Sequence, residues 1–308
     1  MPDLLVLSPR AGALRDALAG RLPPQVTAHY CSDPAALTDA ARAAEIALGT
    51  PDALAAVLPQ LPRLRWLQCS WAGVEPLLRA RRRDYWLTNA RGIFGAPMSE
   101  YVLGWLLALR RGILERARTR RWQPRPDPGL SSLRLGIAGV GAIGAVVAAR
   151  CAPFVGEVVG LNSDGRPVPG CARCYPAAQR LDFARGLDAL VLLLPHTAAT
   201  AGFADHALLA CLAPGALVIS AGRAATLQLS PALEMLDDGT LSALVLDVLP
   251  QEPLPAGDAL WDRERVYITS HSAAPTAIAP LLALFLDNLE RYLDGRELRA
   301  RVDFERGY

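Results

Sequence analysis

The sequence contains no lysine, so all 32 of its basic side chains other than histidine are arginines. This absence excludes mechanisms that need a lysine amine, including Schiff-base chemistry and phosphate binding by a P-loop. Cysteine is also sparse, and six cysteines among 308 residues do not indicate a disulfide scaffold. The net charge of +2 gives no general argument for binding nucleic acid or an anionic membrane.

Long hydrophobic runs are missing as well. Apolar stretches such as 189–195 have the length of a strand and fall far short of a membrane span. The first residues carry neither a basic region nor a long apolar stretch, so we expect no signal peptide. With 52% hydrophobic and 20% charged residues, the composition is typical of a globular protein, and the length allows about two domains. We therefore expect a soluble, reduced, cytoplasmic protein.

The most informative stretch of the chain is an apolar run followed by a glycine motif and small apolar residues at helical spacing. In a G-x-G-x-x-G motif the first glycine permits a tight turn, the second a close approach to a pyrophosphate, and the third close packing of helix on strand. The helix that follows offers free amides and a positive dipole end to the phosphates. The pattern predicts a dinucleotide site, and a purely structural glycine turn is the alternative. The motif residues are Gly139, Gly141, Ala142, Ile143 and Gly144.

Apolar runs alternate with helical patterns along most of the chain. Residues 1 to about 95 form one βα-repeating unit, a long helix follows from Ala96 through Leu114, and a second βα series begins near 134. Because the strands of this second series are continuously apolar and lie between helices, they predict a parallel sheet covered on both faces. A final apolar helix, 277–293, is expected to return the chain to the first domain. The predicted domains are 1–96, completed by 278–308, and 97–277.

Two further features have ordinary interpretations. We interpret the arginine-rich end of the long helix as a solvated flank, with a nucleic-acid face as the alternative; its residues are Arg110, Arg111, Arg116, Arg118, Arg120 and Arg121. Cys171 and Cys174 form a C-x-x-C without a second ligand pair at zinc-finger spacing. We interpret them as two thiols in a variable loop, and we predict no metal site.

Three ionisable residues follow predicted strands of the second series: Arg223, Glu252 and His271. Ligands collect at the carboxyl ends of the strands in an open parallel sheet. An arginine can bind a carboxylate through two hydrogen bonds, and a histidine exchanges a proton near neutral pH. A carboxylate beside the histidine favours the imidazolium and orients its ring. Together these residues indicate acid–base chemistry on an anionic substrate.

The sequence resembles a known family, the D-isomer-specific 2-hydroxyacid dehydrogenases, over almost its whole length. The motifs that carry the resemblance occur in family order and spacing: GVGAIG, LLLPHTAATAG from Leu192, LVISAGRAATL from Leu217, LDVLPQEPLP from Leu246 and ITSHSAA from Ile268. The WAGV stretch at Trp71 and the closing VDFERGY look most like the glyoxylate/hydroxypyruvate reductase branch.

The resemblance implies an α/β fold of two Rossmann-like domains with parallel sheets, a flavodoxin-like substrate domain plus a dinucleotide-binding domain. It implies that Arg223, Glu252 and His271 are catalytic and that Asp247 contacts the nicotinamide side. It also implies a homodimer. Further cofactor contacts are expected at Pro195, His196 and Ala221. Substrate contacts are expected at Trp71, Ala72, Gly73 and Val74. The indole of Trp71 either narrows the pocket toward small acids or packs in the ordinary way at a domain face.

The sequence also departs from the family pattern. Ala224 follows Arg223 where many relatives have glycine, and Ser270 replaces the usual proline before His271, so we expect small backbone shifts without loss of activity. After the second cofactor-domain strand, NAD enzymes usually carry an acidic residue, whereas this chain has Asn162 and Ser163. Arg166 close by favours NADP over NAD, although Asp164 argues the other way.

These observations predict an NAD(P)-dependent oxidoreductase that reduces a small 2-oxo acid to the 2-hydroxy acid. Glyoxylate and hydroxypyruvate are the first candidate substrates, and no nucleic-acid or membrane partner is expected. The alternative is a dinucleotide-sensing regulator or scaffold that uses the same fold without turnover, because fold alone does not give function. The complete set of arginine, glutamate and histidine argues against it.

Overall fold

The structure, a computed structural model, describes residues 2–122, 124, 126, 129–305 and 307. The chain divides into two compact units, Met1–Phe94 with Thr276–Tyr308, and Gly95–Pro275. The predicted boundaries at 96 and 278 each lie two residues further along the chain. Among the described residues, no helix has both the length and the apolar character needed to cross a membrane.

Short strands and helices alternate in the first part of the chain: β1 Asp3–Leu7, α1 Ala11–Leu18, β2 Thr27–Cys31, α2 Asp39–Arg42, β3 Ile46–Gly49, α3 Pro51–Val57, β4 Trp66–Cys69, α4 Glu75–Arg79 and β5 Trp86–Thr88. The second unit begins with two helices and continues with the second βα series: α5 Gly95–Arg110, α6 Ile113–Arg118, β6 Arg134–Ala138, α7 Ala142–Cys151, β7 Glu157–Asn162, β8 Arg173–Pro176, α8 Arg180–Ala184, β9 Ala189–Leu192, α9 His206–Leu209, β10 Ala216–Ser220, α10 Leu229–Asp237, β11 Leu241–Leu246 and β12 Val266–Ile268. The last helix is α11, Ile278–Leu293.

The first unit contains a five-stranded parallel sheet in the order β2-β1-β3-β4-β5. This is the flavodoxin-like order 2-1-3-4-5, so the predicted fold class is confirmed for this unit. Helix α11 contributes to its core, because Phe285 is fully buried and stacks on Trp66 with ring centroids 5.4 Å apart. The chain's last helix therefore completes the unit that its first residues begin.

A buried polar cluster links α11 to the centre of this sheet. The indole of Trp66 donates to the hydroxyl of Thr88 at 2.9 Å, and that hydroxyl donates to the side-chain oxygen of Gln68 at 2.8 Å. The amide of Asn288 on α11 donates to the same oxygen at 3.2 Å. Since buried polar groups cost free energy unless they are hydrogen-bonded, this cluster fixes where α11 packs.

The second unit contains a seven-stranded parallel sheet in the order β12-β11-β10-β9-β6-β7-β8. Counted from β6, this is the doubly wound dinucleotide-binding order 3-2-1-4-5-6 with one more strand at the edge. Most strand residues are buried, as the continuous apolar runs predicted. All carboxyl ends lie at one edge of the sheet because every strand pairing is parallel.

Two local expectations were wrong. The long helix predicted from Ala96 through Leu114 is divided into α5 and α6 at Gly112, whose left-handed backbone (φ 60°) starts a new helix. The segment with the two cysteines is not only a loop, since Cys174 lies in the edge strand β8 and pairs with Gly160. This four-residue strand contains arginine and proline and has little of the apolar pattern that marks the other strands.

Candidate active site

The glycine motif joins β6 to α7, and its three glycines have different surroundings. A side chain at Gly139 would begin 2.8 Å from the backbone carbonyl of Leu193, and one at Gly144 would begin 2.2 Å from the carbonyl oxygen of Gly139. Gly139 also has a left-handed φ of 101°. A side chain at Gly141 would meet nothing within 4 Å. The chain itself therefore needs the outer two glycines, while the open space at Gly141 fits a pyrophosphate approaching the backbone.

Gly141 is the N-cap of α7, and no side chain caps this helix. The amides of the first helical turn, at Ala142 and Ile143, lack partners one turn earlier. Ala142 is exposed and Ile143 is half-buried. Unpaired amides and a helix dipole can bind an anion, and the expected cofactor contacts at Ala142 and Ile143 stay predictions.

Asn162 ends β7 and organises the loop that follows. Its side-chain oxygen accepts from the amides of Gly165 at 2.6 Å and Asp164 at 3.3 Å, and its amide donates to the carbonyl of Arg166 at 2.9 Å. Arg166 pairs with Asp164 at 3.1 Å, and both side chains are more than half exposed. Hydrogen bonding by the Arg166 amide and guanidinium holds the pKa of Asp164 below its ordinary value. Asn162 therefore shapes the loop, and Arg166 and exposed Ser163 lie on its surface.

The loop after β9 contains Pro195 and His196, both exposed. Thr200 closes it, because its hydroxyl donates to the carbonyl of Pro195 at 2.6 Å and accepts from the amide of Thr197 at 2.9 Å. Neither threonine was identified from the sequence. The loop keeps His196 at the carboxyl edge of the sheet, and its predicted contact with the cofactor stays a prediction.

Arg223 follows β10 after two residues that fit closely against β9. Ala221 is buried, and a side chain on Gly222 would begin 2.9 Å from the Cα of Leu193. The carbonyl of Arg223 accepts from both the amide and the hydroxyl of Thr226, at 3.0 and 2.7 Å. Its guanidinium donates to the carbonyl of Gly222 at 2.9 Å. The backbone at Arg223 is thus fixed by contacts that the sequence motif alone did not reveal.

Glu252 and His271 are in direct contact. One carboxylate oxygen lies 2.8 Å from Nδ1 of His271, and the other accepts from the amide of Leu249 at 2.9 Å. The histidine side chain is 55% exposed, so Nε2 is open to a reactant while Nδ1 is held. The sequence predicted this pair from two residues that follow neighbouring strands.

Asp247 is 3% exposed, and its hydrogen bonds hold the loop that carries His271. Its carboxylate accepts from the Thr269 hydroxyl at 2.6 Å and from the amides of Ser272 and Ala273 at 2.8 and 3.0 Å. Its carbonyl oxygen accepts from the amide of His271 at 2.7 Å. Asp247 therefore organises the histidine loop, and its expected contact with the nicotinamide side stays a prediction.

The loop Trp71–Val74 lies at the carboxyl end of β4 in the first unit. Asn89 holds it by donating to the carbonyl of Ala72 at 2.8 Å. Within the described part of the chain, the amides of Ala72, Gly73 and Val74 donate to no acceptor. Adjacent unpaired amides can bind an anion, which is compatible with the predicted role in holding a substrate carboxylate.

The described residues contain no group of three or more His, Cys, Asp or Glu side chains able to hold a metal ion. Cys171 and Cys174 are free thiols and are both half-buried. Burial, followed by the neighbouring Cys174, raises the pKa of Cys171 to about 12. The thiolate form of Cys171 is therefore scarce near neutral pH.

Sequence comparison identifies one matching family model, described as D-isomer specific 2-hydroxyacid dehydrogenase, NAD binding domain, over residues 103–273. The glyoxylate/hydroxypyruvate reductase A of Serratia proteamaculans is 31% identical over 258 residues, which cover 80% of this chain and 82% of that protein. The reductase of the same name from Klebsiella pneumoniae is 30% identical over 217 residues, 70% of each chain.

Solved structures of similar proteins share the whole architecture. A D-isomer specific 2-hydroxyacid dehydrogenase family protein from Aeromonas salmonicida has 34% identity and a TM-score of 0.91, covering 98% of this chain and 99% of that one. An NADPH-dependent glyoxylate/hydroxypyruvate reductase from Sinorhizobium meliloti, solved with NADP and sulfate, has 26% identity and a TM-score of 0.88 over the full length of both chains.

Proposed function

The chain belongs to the D-isomer-specific 2-hydroxyacid dehydrogenase family, whose members are NAD(P)-dependent oxidoreductases, and on that premise we propose that it reduces a small 2-oxo acid to the 2-hydroxy acid with NADPH. The observation that carries the proposal is the contact of Glu252 with Nδ1 of His271 at 2.8 Å, at the same sheet edge as Arg223. Relatives named glyoxylate/hydroxypyruvate reductase support glyoxylate and hydroxypyruvate as the substrate type.

The proton in this reaction comes from His271. An ionised carboxylate only accepts hydrogen bonds, so Nδ1 carries a hydrogen and donates it to Glu252. Nε2 is then the atom that releases a proton to the substrate oxygen as the hydroxyl forms, and it takes the proton back in the oxidative direction. The contact with Glu252 also holds the imidazole ring in one orientation.

Arg223 binds the substrate. Its planar guanidinium can hold the carboxylate of a 2-oxo acid and polarise the neighbouring ketone at the same time, which a point charge cannot do. When bound, the reduced nicotinamide supplies the hydride that reaches the carbonyl carbon. As negative charge grows on the ketone oxygen, the guanidinium stabilises it until His271 has delivered its proton.

The residues present fit a dinucleotide phosphate. The amides at Gly141, Ala142 and Ile143 would hold the pyrophosphate, and the guanidinium of Arg166 would pair with a 2′-phosphate. Asn162 places no carboxylate against that phosphate, and it also fixes the loop that presents Arg166. Neighbours solved with NADP or NADPH support the choice of NADP over NAD.

Turnover of a panel of 2-oxo acids with each reduced cofactor tests the proposal. We expect kcat/KM to be higher with NADPH than with NADH, and glyoxylate and hydroxypyruvate to be among the accepted substrates. Arg166→Gln should lower kcat/KM with NADPH by about tenfold, the value of one charge-assisted contact, and leave NADH almost unchanged. Arg185→Gln, which changes an exposed arginine paired with Asp182, is the matched control.

Binding of cofactor without turnover of any 2-oxo acid would instead favour the regulator or scaffold alternative. A higher wild-type kcat/KM with NADH would contradict the NADP assignment while leaving the reductase assignment in place.

We also propose that the protein is a cytoplasmic homodimer. Three large apolar side chains on and after the first two helices of the second unit are exposed: Leu107 at 37%, Ile113 at 50% and Trp122 at 96%. A second copy would remove such apolar surface from water. Light scattering of the purified protein should give twice the chain mass of 32.9 kDa, and a monomer at micromolar concentration would contradict the proposal.

A further inference from the structure

The turn that carries His271 has a backbone that its residues disfavour. Ser270 and His271 have φ values of 51° and 57°, in the left-handed region that only glycine adopts readily. Proline, whose ring fixes φ near −65°, could not occupy position 270 in this conformation. Two consecutive non-glycine residues in this region persist only where surrounding contacts determine the conformation.

The contacts that determine it converge on Asp247. Its carboxylate accepts from residues on both sides of the strained pair, namely the Thr269 hydroxyl before it and the amides of Ser272 and Ala273 after it. Its carbonyl accepts the amide of His271 itself. The turn is thus fixed at both ends and at its centre by one buried residue.

The Thr269 hydroxyl has its own partner on α5. Tyr101 lies with its hydroxyl oxygen 2.7 Å from the Thr269 oxygen, although the two residues are 168 positions apart in the chain. A threonine hydroxyl has a single hydrogen, and Thr269 donates it to Asp247, so Tyr101 must donate to Thr269. The ring of Trp105, one helical turn along α5, packs against the ring of Tyr101 with centroids 6.3 Å apart.

The direction of this hydrogen-bonded chain is therefore fixed, from Tyr101 through Thr269 to Asp247. Burial raises the pKa of Tyr101 to about 12, so the hydroxyl remains a neutral donor across the pH range of an enzyme assay. By donating to the Thr269 oxygen, Tyr101 favours the orientation of this hydroxyl in which its hydrogen points at Asp247.

We infer that Tyr101 is a positioning residue for the proposed reductase reaction, which acts on the proton donor His271 through Thr269 and Asp247. The inference rests on the proposed function and adds a residue outside the motifs that led to it. Without the tyrosine hydroxyl, the Thr269 hydroxyl is free to rotate, Asp247 loses a donor for part of the time, and the strained turn relaxes. The expected effect falls on the proton-transfer step, because the hydrogen bonds of Tyr101 lead to the turn that carries His271.

Tyr101→Phe tests this inference with Tyr267→Phe as the matched control. Tyr267 lies in the same aromatic cluster, with its ring centroid 5.1 Å from that of Trp105, and its hydroxyl has no hydrogen bond within the described residues. We expect Tyr101→Phe to lower kcat by about three- to tenfold, the value of one neutral hydrogen bond, with KM and cofactor affinity unchanged. Tyr267→Phe should match the wild type. An unchanged kcat in Tyr101→Phe, or an equal loss in both variants, would overturn the inference.

Variants of Thr269 show whether Tyr101 acts through this hydroxyl. Thr269→Val should lower kcat more than Tyr101→Phe does, Thr269→Ser should restore most of the activity, and the double variant Tyr101→Phe/Thr269→Val should be no worse than Thr269→Val alone. Additive losses, or no rescue by serine, would overturn the proposed route.

A measurement that needs no turnover separates this inference from the proposed function. Hydrogen–deuterium exchange of a peptide covering 266–274 should be faster in Tyr101→Phe than in the wild type and in Tyr267→Phe, with Tm unchanged. If the wild type reduces no 2-oxo acid but this difference in exchange is seen, the proposed function is wrong, while the inference that Tyr101 holds the turn at His271 is supported. Identical exchange in all three proteins would overturn the inference even if the enzyme is active.

Discussion

The side chain of Arg223 leaves the sheet at a point where the backbone is fixed by Thr226 and by the close fit of Gly222 on β9. Arg223→Lys keeps the positive charge but replaces the planar guanidinium with an ammonium group. We expect kcat/KM to fall by about 100-fold or more, roughly 3 kcal/mol, because one ammonium cannot hold a carboxylate and a developing alkoxide together. Arg185→Lys, on the surface, should be unchanged. Near-normal kinetics in Arg223→Lys would remove Arg223 from the active site.

The pair of Glu252 and His271 leads to a second prediction. Glu252→Gln replaces the carboxylate that holds Nδ1 of His271 with an amide, so the orientation of the ring is less firmly held. We expect kcat/KM for reduction to fall by about tenfold, because Nε2 then faces the substrate for a smaller part of the time.

The structure adds a detail to this test. Glu252 uses one oxygen for the Leu249 amide and the other for His271, whereas glutamine has only one oxygen. The loss is therefore expected in both directions of the reaction. Equal kcat/KM for Glu252→Gln and the wild type would mean that Glu252 does not position His271. His271→Ala should remove nearly all turnover and leave cofactor binding intact, and strong residual activity would mean that the proton comes from another group.

Among single residues, the sequence predicted those that belong to a short, recognisable motif. Arg223, Glu252 and His271 each follow a recognisable strand, so their types and order predicted the chemistry. Tyr101 could not be found in this way, because its contact with Thr269 spans 168 residues and depends on how α5 packs. Asn162 was read only as a missing carboxylate, since its three hydrogen bonds within the loop have no signal in its identity.

Among the secondary-structure elements, the turn between β6 and α7 allows the cofactor loop to be tested without damage to the fold. Gly141→Val should weaken NADPH binding by more than about 100-fold, roughly 2.7 kcal/mol, because the side chain would fill the space that the pyrophosphate needs. Since that space is empty of protein and φ at Gly141 is −82°, Tm should change by only about 2 °C. Calorimetric titration and thermal denaturation measure the two effects.

Gly144→Ala is the opposite case in the same turn. Its new methyl group would begin 2.2 Å from the carbonyl oxygen of Gly139, so Tm should fall clearly. Unchanged NADPH affinity in a folded Gly141→Val protein would contradict the assignment of this loop to pyrophosphate binding.

The final apolar helix was predicted at 277–293 and lies at Ile278–Leu293, whereas no apolar pattern marks β8 or the division between α5 and α6. Strand β8 has four residues at the sheet edge, and its Pro176 and Arg173 are not residues that favour strands. The division between α5 and α6 depends on the backbone at Gly112, and an isolated glycine inside a helical pattern is compatible with either an intact or a broken helix.

For the whole molecule, acid sensitivity can be traced to ion pairs such as Arg180 with Asp205, whose side chains are joined by two hydrogen bonds of 3.0 and 2.8 Å. Hydrogen bonding by Arg180 lowers the pKa of Asp205. A lowered pKa in the folded state means that the pair stabilises the fold above the ordinary pKa of an aspartate, and that this contribution is lost as pH falls through the lowered value.

Asp205→Asn tests this contribution, because asparagine keeps the cap on the Leu208 amide and loses the charge. The free energy of unfolding should fall by about 1 kcal/mol between pH 6 and 8, and the difference from the wild type should shrink only below about pH 4, as pH falls through the lowered pKa of Asp205. Asp182→Asn, which removes a surface pair with Arg185 at 3.6 Å, is the control. A loss in Asp205→Asn that is the same at pH 3 and pH 7 would contradict the argument.

The strand orders of both sheets follow from general rules once the βα series is recognised, which is why the fold class could be predicted. Buried polar clusters could not, because Gln68, Thr88 and Asn288 come from three distant segments and read individually as ordinary surface residues. The hydrogen bonds of such a cluster form only after the helices and strands have packed and brought its side chains together.

The first unit is assembled from both ends of the chain, and this has a consequence for synthesis on the ribosome. Residues 95–275 are continuous, so this unit can fold as soon as it emerges. The first unit must wait, because Phe285 and Asn288 on α11 complete its core only after residues 276–308 have been translated. Until then the β4 face around Trp66 lacks its covering helix and offers apolar surface to chaperones. Residues 1–94 are thus made before residues 95–275 but protected after them.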